Sequence, residues 1–539
     1  MSQSRINQGE RGPSRGPDDA LGDPGGTKAQ FQSVLFAGRQ VPPPRGGEEA
    51  PDFFGDLNLD QIIQSVLAKW QAYNLKPFFY TPLHDFDLIL YRQEIMRDLE
   101  NPLVMQSVEL FSQDMREMRS LLPADEKQYY KFERERWFLS AVVTYCRTIS
   151  VFARALTELN LESRGMRIFR EFLIGYIATR SFVNLSKEAT ALTSEVSAIK
   201  YCLHIDSGRV TVRRYADELD YSKAVEDAFD KFRQDEVNDY SVKGLHSGGM
   251  NHIQAQIVER IALLYPGTFQ ALEKFYELHS DFQDNKISRF DREIQFYVAY
   301  LKHKEKVQSA GLNFCFPELS NNSKEIRCQE TFDLALANKL VDEKASIITN
   351  DFFMRGSERI FVVSGPNHGG KTTFARTFGQ LHYLAALGCP VPGRDARLFH
   401  FDRLFTHFER EENIQTLRGK LQDDLLRVRQ ILDHATSNSI VIINEIFSST
   451  SLKDAVYLGK KIMTRLSELD VLAVCVTFLD ELASFDEKTV SIVSTVDPNN
   501  PAIRTFKLER RRADGLAYAL AVAEKHRVTS DWLLRRIKS

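Results

Sequence analysis

Ile360-Phe-Val-Val-Ser-Gly365-Pro-Asn-His-Gly-Gly-Lys371-Thr372 decides how the rest of the chain is read. A short apolar strand runs into a glycine-rich loop, and an amphipathic stretch follows from Phe374. The spacing is Gly-x-x-x-x-Gly-Lys-Thr. Glycines let successive backbone N–H groups turn inward at a helix N-terminus, where they cradle phosphate oxygens. The candidate nucleotide-binding residues are therefore Gly365, Pro366, Asn367, His368, Gly369, Gly370, Lys371, Thr372 and Thr373. Lys371 is expected to reach the β- and γ-phosphates of ATP, and the Thr372 hydroxyl to bind Mg²⁺. A chance glycine-rich turn is the bland reading, and the strand and helix on either side weigh against it.

Further downstream, Ser439-Ile-Val-Ile-Ile-Asn444-Glu445 is an apolar strand ending in a polar pair. A carboxylate at a strand's C-terminal end can polarise the water that attacks a γ-phosphate. Glu445 is the candidate catalytic base, and Asn444 a second candidate at the metal. An amide can hydrogen-bond a metal-bound water, but it brings no charge. Ile360–Ser364, Ile440–Ile443, Val471–Thr477, Val490–Thr495 and Ile503–Leu508 alternate with helical patterns. That alternation predicts an α/β domain with a largely parallel sheet over residues 322–539.

Residues 51–321 read as mostly α-helical. Leu88, Tyr91, Ile95 and Leu99 recur at steps of three and four, as do Phe290, Ile294, Tyr297 and Leu301, each giving one buried stripe. One interruption, Ile199–Ile205 and Val210–Tyr215 around Asp206-Ser-Gly-Arg209, signals a hairpin inside a small β insertion over about 195–250. Residues 1–50 hold nine of the 28 glycines and six of the 18 prolines. They read as a disordered tail, with one apolar island at Phe31–Phe36.

Composition narrows the function classes. The chain has 539 residues, 43% hydrophobic and 27% charged, the balance of a globular protein of two or three domains. No apolar run looks long enough to span a bilayer, and no secretory signal is visible at the N-terminus. The expectation is a cytoplasmic protein without a membrane partner. Six scattered cysteines include no Cys-x-x-Cys pair, so neither a zinc site nor a disulfide framework is indicated. The net charge is −3, so any DNA contact must come from local patches. Arg209, Arg213 and Arg214 on the hairpin are the candidates; Arg510, Arg511 and Arg512 read better as a solvated face.

Taken together, these segments resemble the ATPase domain of the MutS family of DNA mismatch repair proteins, a branch of the ABC-type ATPases. Ser364–Thr372 resembles the family's Thr-Gly-Pro-Asn-Met-Gly-Gly-Lys-Ser. Leu387–Gly393 with Phe401–Thr406 resembles its Gly-x-x-Val-Pro-Ala and Asp-Arg-Ile-Phe-Thr segments. Asn444–Ser451 resembles Asp-Glu-x-Gly-Arg-Gly-Thr-Ser, Thr477–Leu482 resembles Thr-His-x-x-Glu-Leu, and Asp514–Ala523 resembles its Tyr-Gly-Leu-x-Val-Ala helix. The resemblance implies a multi-domain protein: a mostly helical lever and core, a clamp-like insertion that grips double-stranded or structured DNA, and an ABC-type P-loop domain. It also implies ATP and Mg²⁺ bound between two protomers, hence a homodimer, and work alongside other repair proteins.

Several positions depart from the family pattern. Asn444 stands in place of an aspartate, and Phe478 in place of a histidine that senses the γ-phosphate. A phenyl ring cannot hydrogen-bond a phosphate or a water. In the signature region before the Leu421–Leu432 helix, Gly419 and Lys420 stand where the family offers a serine to the partner's γ-phosphate. Slow hydrolysis is the physical expectation. Phe275-Tyr-Glu277 matches the family's mismatch wedge, but it lies on a helical apolar stripe and reads as core. The chain is thus expected to lack the mismatch-reading and connector domains and a C-terminal nuclease segment. The rival functions are an ATP-binding switch that recruits protein partners without DNA, and a small-molecule kinase on another P-loop fold.

Overall fold

The structure, a computed structural model, describes residues 31–38, 49–122, 130–217, 250–409, 419–447, 450–497, 500–513 and 527–538. Long helices dominate the region from Phe53 to Gln308. Helix Phe86–Glu100 starts at Asp85, whose carboxylate accepts from the N–H groups of Asp87 and Leu88, satisfying donors that a helix end leaves open. Asn101 and Pro102 open Pro102–Ser120 in the same way, with proline at the first helical position where its missing N–H costs nothing. The stripe Leu88, Tyr91, Ile95 and Leu99 is buried, as its spacing predicts. Phe111, Phe152, Phe169 and Phe290 gather at the centre of this helical half, the last two stacked with ring centroids 3.5 Å apart.

Two expectations are corrected here. Helix Lys131–Glu158 is, by length and composition, apolar enough to cross a bilayer, although no such stretch was expected. Fourteen of its residues are buried against neighbouring helices, and a helix covered on several sides is apolar nearly all round. The second correction concerns the N-terminal tail. Residues 1–30 and 39–48 lie outside the described residues, but 31–38 are packed into the core, with Phe31, Val34 and Leu35 buried. Phe31 enters the aromatic cluster, 4.7 Å from Phe169. Backbone polar groups buried here find partners: Ser33 donates its hydroxyl and Val34 its N–H to Glu293, while Tyr91 and Tyr297 donate to the carbonyls of Ser33 and Val34. The apolar island therefore buries enough surface to offset its ordering, which the glycine-rich flanks concealed.

The interruption among the helices is an antiparallel hairpin, β1 (Tyr201–Asp206) and β2 (Arg209–Arg214). Ser207 and Gly208 both take positive φ, the backbone of a two-residue hairpin turn that matches strand twist. The rest of the proposed insertion, 218–249, lies outside the described residues.

Beyond residue 313 the chain turns to sheets. Short strands β3 (Phe314–Cys315), β4 (Glu318–Ser320), β5 (Ile326–Thr331) and β6 (Asn350–Met354) lead into β7 (Ile360–Ser364). They combine with β8 (Val391–Pro392) and β9 (Asp395–Phe399) into two small sheets, β3-β8 and β4-β9-β5-β6, which the sequence reading did not foresee. The main sheet adds β10 (Leu404–Phe408), β11 (Ile440–Asn444), β12 (Leu472–Val476), β13 (Thr489–Asp497) and β14 (Asn500–Arg510), in the order β10-β11-β12-β7-β13-β14. All its pairings are parallel except β13 with β14. Every residue of β7, β11 and β12 is buried, because a parallel sheet is covered on both faces.

Helix Lys371–Ala386, which follows the glycine loop, joins the two halves. Gly379 packs so closely against Leu57 that a Cβ there would lie 2.7 Å from its side chain. Gln380 and Arg376 donate to the carbonyls of Leu57 and Asp56. At the helix's far end the fully buried Arg92 donates to Leu387 O and Leu35 O, both at 3.2 Å. The chain is therefore a mixed helix-and-sheet protein whose halves share one continuous apolar core.

Candidate nucleotide site

The glycine loop leaves the buried strand β7 at Gly365, which takes φ +117 with Ser494 of β13 against it; a Cβ would lie 2.9 Å from the Ser494 carbonyl. Ser494 in turn donates its hydroxyl to the Gly369 carbonyl. Only glycine satisfies both the backbone angle and the closeness. Gly370, at φ +94, forms the N-cap of helix Lys371–Ala386 and provides no side-chain cap. The first N–H groups of that helix are thus left for a ligand. His368 also has positive φ, at 59°, and lies exposed at the loop's tip.

Lys371 is 4% exposed. Its ammonium donates to Gly365 O at 2.9 Å, Pro366 O at 3.3 Å and Asn367 Oδ1 at 3.2 Å. A buried cation must be matched by acceptors, and here the loop itself supplies them. Burial lowers the Lys371 pKa from its ordinary value; nearby Glu445 opposes this, and Arg504 adds to it. Glu445 Oε1 stands 3.8 Å from the ammonium.

Thr372 and Asn444, the two candidate metal residues, meet across the site: the Thr372 hydroxyl donates to Asn444 Oδ1 at 3.0 Å. Asn444 ends β11, and Glu445 follows with φ 53 while its N–H donates to Val476 O. Phe447 takes φ 61, where the family pattern has glycine; a bulky residue in that region is strained. The structure therefore brings Gly365–Thr373, Asn444 and Glu445 into one place. These residues fit a phosphate chain: an anion cradle, a buried ammonium, and two neutral oxygen ligands side by side for Mg²⁺.

Other candidates fall elsewhere. Gly419 is the N-cap of helix Lys420–His434, and the Lys420 ammonium is paired with Glu409. Phe478 is half-exposed. His407 is buried on β10 with its ring 3.2 Å from Asp424. Phe275 is buried beside Phe138, in keeping with a core residue. On the hairpin, strand alternation places Arg209 and Arg213 on one face and Arg214 on the other. Arg214 donates to Leu264 O and lies over the Tyr265 ring at 5.0 Å. Its guanidinium thus anchors the hairpin to the next helix. Arg510 is paired with Glu358. The Asp514–Ala523 segment lies outside the described residues.

One charged residue was missed. Arg504 of β14 donates its Nε to Asn367 O at 3.2 Å. It lies 137 positions from the loop in sequence, in no motif, so nothing short of the strand order β7-β13-β14 could have found it.

Residues 361–531 match the family model of MutS domain V. Among relatives, the DNA mismatch repair protein MutS of Geobacillus sp. (strain WCH70) is 23% identical over 299 residues, 53% of this chain and 34% of that protein. Endonuclease MutS2 of Thermus thermophilus is 31% identical over 196 residues, 35% of this chain and 25% of the relative. The Bacillus subtilis MutS is 21% identical over 309 residues, 55% of this chain. The chain spans about a third or less of these relatives' length. The motifs, the geometry of the loop and these matches agree in the C-terminal half: residues 361–531 carry the MutS family's domain V.

Proposed function

We propose that the protein is a MutS-type ATPase that binds ATP with Mg²⁺ at this site and uses the nucleotide to control its hold on DNA. The observation that carries the reading is the buried Lys371 ammonium, turned into a glycine cradle at an uncapped helix N-terminus. On this reading, Gly365–Thr373 bind the triphosphate, and Thr372 and Asn444 hold the metal, which when bound neutralises charge on the phosphate oxygens. Glu445 accepts the proton of the attacking water. With Asn444 neutral and Phe478 unable to hydrogen-bond, hydrolysis is slow and ATP acts mainly as a ligand that stabilises a homodimer. Gly419 and Lys420 would then face the partner's nucleotide. The reading carries a cytoplasmic location and work with other repair proteins. It also keeps the proposed division into a tail (1–50), a helical core with clamp-like insertion (51–321) and an ABC-type ATPase domain (322–539).

ATP titration of the wild type and Lys371→Ala tests the site. The variant is expected to bind ATP about 100-fold more weakly, the loss of a charge-assisted contact to phosphate. Equal affinity would remove the assignment. DNA holding is tested by a salt titration with duplex DNA. Backbone contacts from Arg209 and Arg213 would make affinity fall steeply with salt. No binding at low salt would favour the rival reading, a switch that recruits proteins alone.

A further inference from the structure

Resting on the nucleotide reading above, we propose that Arg504 is a second phosphate-binding cation of this site and selects a nucleoside triphosphate over a diphosphate. Strand β14 carries it there. The register of β13 with β14 shifts between Ser494↔Leu508 and Val496↔Arg504, leaving extra residues on β14. Phe506, inside this irregularity, takes φ 57. A bulge of this kind bends a strand and re-aims its side chains. Thr495 and Thr505 hold it through their hydroxyls, 2.5 Å apart. The result is a half-buried Arg504 whose Nε reaches Asn367 O at 3.2 Å.

Asn367 is the point where two cations converge. Arg504 holds its carbonyl while Lys371 donates to its side-chain oxygen at 3.2 Å. The lysine of such a loop serves the β- and γ-phosphates, and on this proposal the guanidinium bonded to the same residue serves the terminal one. The charges favour this role. A triphosphate carries more negative charge than Lys371 alone can match, and a second cation bonded to the same loop is suited to it. Phe478 offers no hydrogen bond, and arginine supplies several donors in a planar fork suited to phosphate oxygens. Gly370, the uncapped start of helix Lys371–Ala386, lies next to Phe506 of the same irregular stretch.

The competing role for Arg504 is merely to brace the loop backbone through Asn367. ATP and ADP titrations of the full chain, with wild type, Arg504→Ala and Arg504→Lys, separate the two. Phosphate selection predicts that Arg504→Ala weakens ATP binding by about 10- to 100-fold, the range for a charge-assisted bond, while ADP changes by less than about threefold. Arg504→Lys, which keeps the charge, should restore most of the ATP-over-ADP preference. Equal weakening of ATP and ADP, or no change in either, overturns the proposal and leaves the nucleotide site standing. Wild type that binds neither nucleotide overturns the nucleotide reading itself, and this proposal with it.

Discussion

The two ends of helix Lys371–Ala386 are built from opposite materials. Its N-terminal end is loop, glycine and polar groups: an uncapped first turn, Lys371 hydrogen-bonded to loop oxygens, and Thr372 against Asn444. Its C-terminal end is locked into the helical half. Leu83 donates its N–H to Ala386 O, Arg92 donates to Leu387 O, and Tyr300 donates to Pro390 O. Gly388 leaves the helix at φ +81 with so little room that a Cβ would lie 2.6 Å from Arg92 Cβ. The cation there also suits the negative end of the helix dipole. One end starts with no side-chain cap, whereas the other is held by hydrogen bonds from Leu83 and Arg92. A single helix runs between them, from the glycine loop to the helical half.

The largest expected effect belongs to the ligand end. Glu445→Gln keeps the shape of the side chain but cannot take a proton, so ATP hydrolysis should fall by about 10²- to 10⁴-fold while ATP binding persists. Single-turnover hydrolysis beside equilibrium binding checks this, and full-rate hydrolysis would place the base elsewhere.

At the other end, Arg92→Ala should cost about 3–5 kcal/mol in denaturant unfolding, by opening a cavity and stranding two buried carbonyls. ATP affinity should move by less than about threefold. If ATP affinity fell as far as in Lys371→Ala, the two ends would not be separable in the way their contacts suggest.

The smallest and sharpest comparison is a matched pair of glycines. Gly388→Ala meets both a left-handed backbone and a collision with Arg92, and should cost about 2–4 kcal/mol in stability. Gly370→Ala has the same backbone penalty but no atom closer than 3.9 Å to the new Cβ, so about 1–2 kcal/mol is expected. It should instead weaken ATP binding, since the loop must bring its backbone to the phosphates. Equal loss of stability at both positions would erase the contrast.

The parts legible in the sequence were those whose chemistry is local. Strand, loop and lysine lie within a dozen consecutive residues, Ile360–Lys371, and their spacing alone predicts the strand-loop-helix unit that the structure shows. Asn444 and Glu445 were legible because a polar pair ending an apolar run marks the edge of a buried strand. Helix stripes such as Leu88, Tyr91, Ile95 and Leu99 repeat at a period fixed by backbone geometry. What the sequence did not show depended on what lay nearby in space. Arg214 looked like its neighbour Arg213, yet strand alternation turned it toward the Leu264 carbonyl. Phe31–Leu35 looked like part of a loose tail, yet Glu293, Tyr91 and Tyr297 hold its backbone from positions 58 to 263 residues away.

By itself, then, the sequence determined a strand, glycine loop and lysine in succession, an apolar strand ending in an acid, a helical half and a sheet half. Short-range sterics and hydrophobic periodicity need no knowledge of the rest of the chain. Tertiary structure alone decided which cations face that loop and which serve as anchors. Arg504 joins the site across 137 residues, while Arg92 closes the opposite end of the same helix across 295. A guanidinium carries the same charge everywhere, and only the acceptors that packing puts around it separate a ligand contact from a structural bolt.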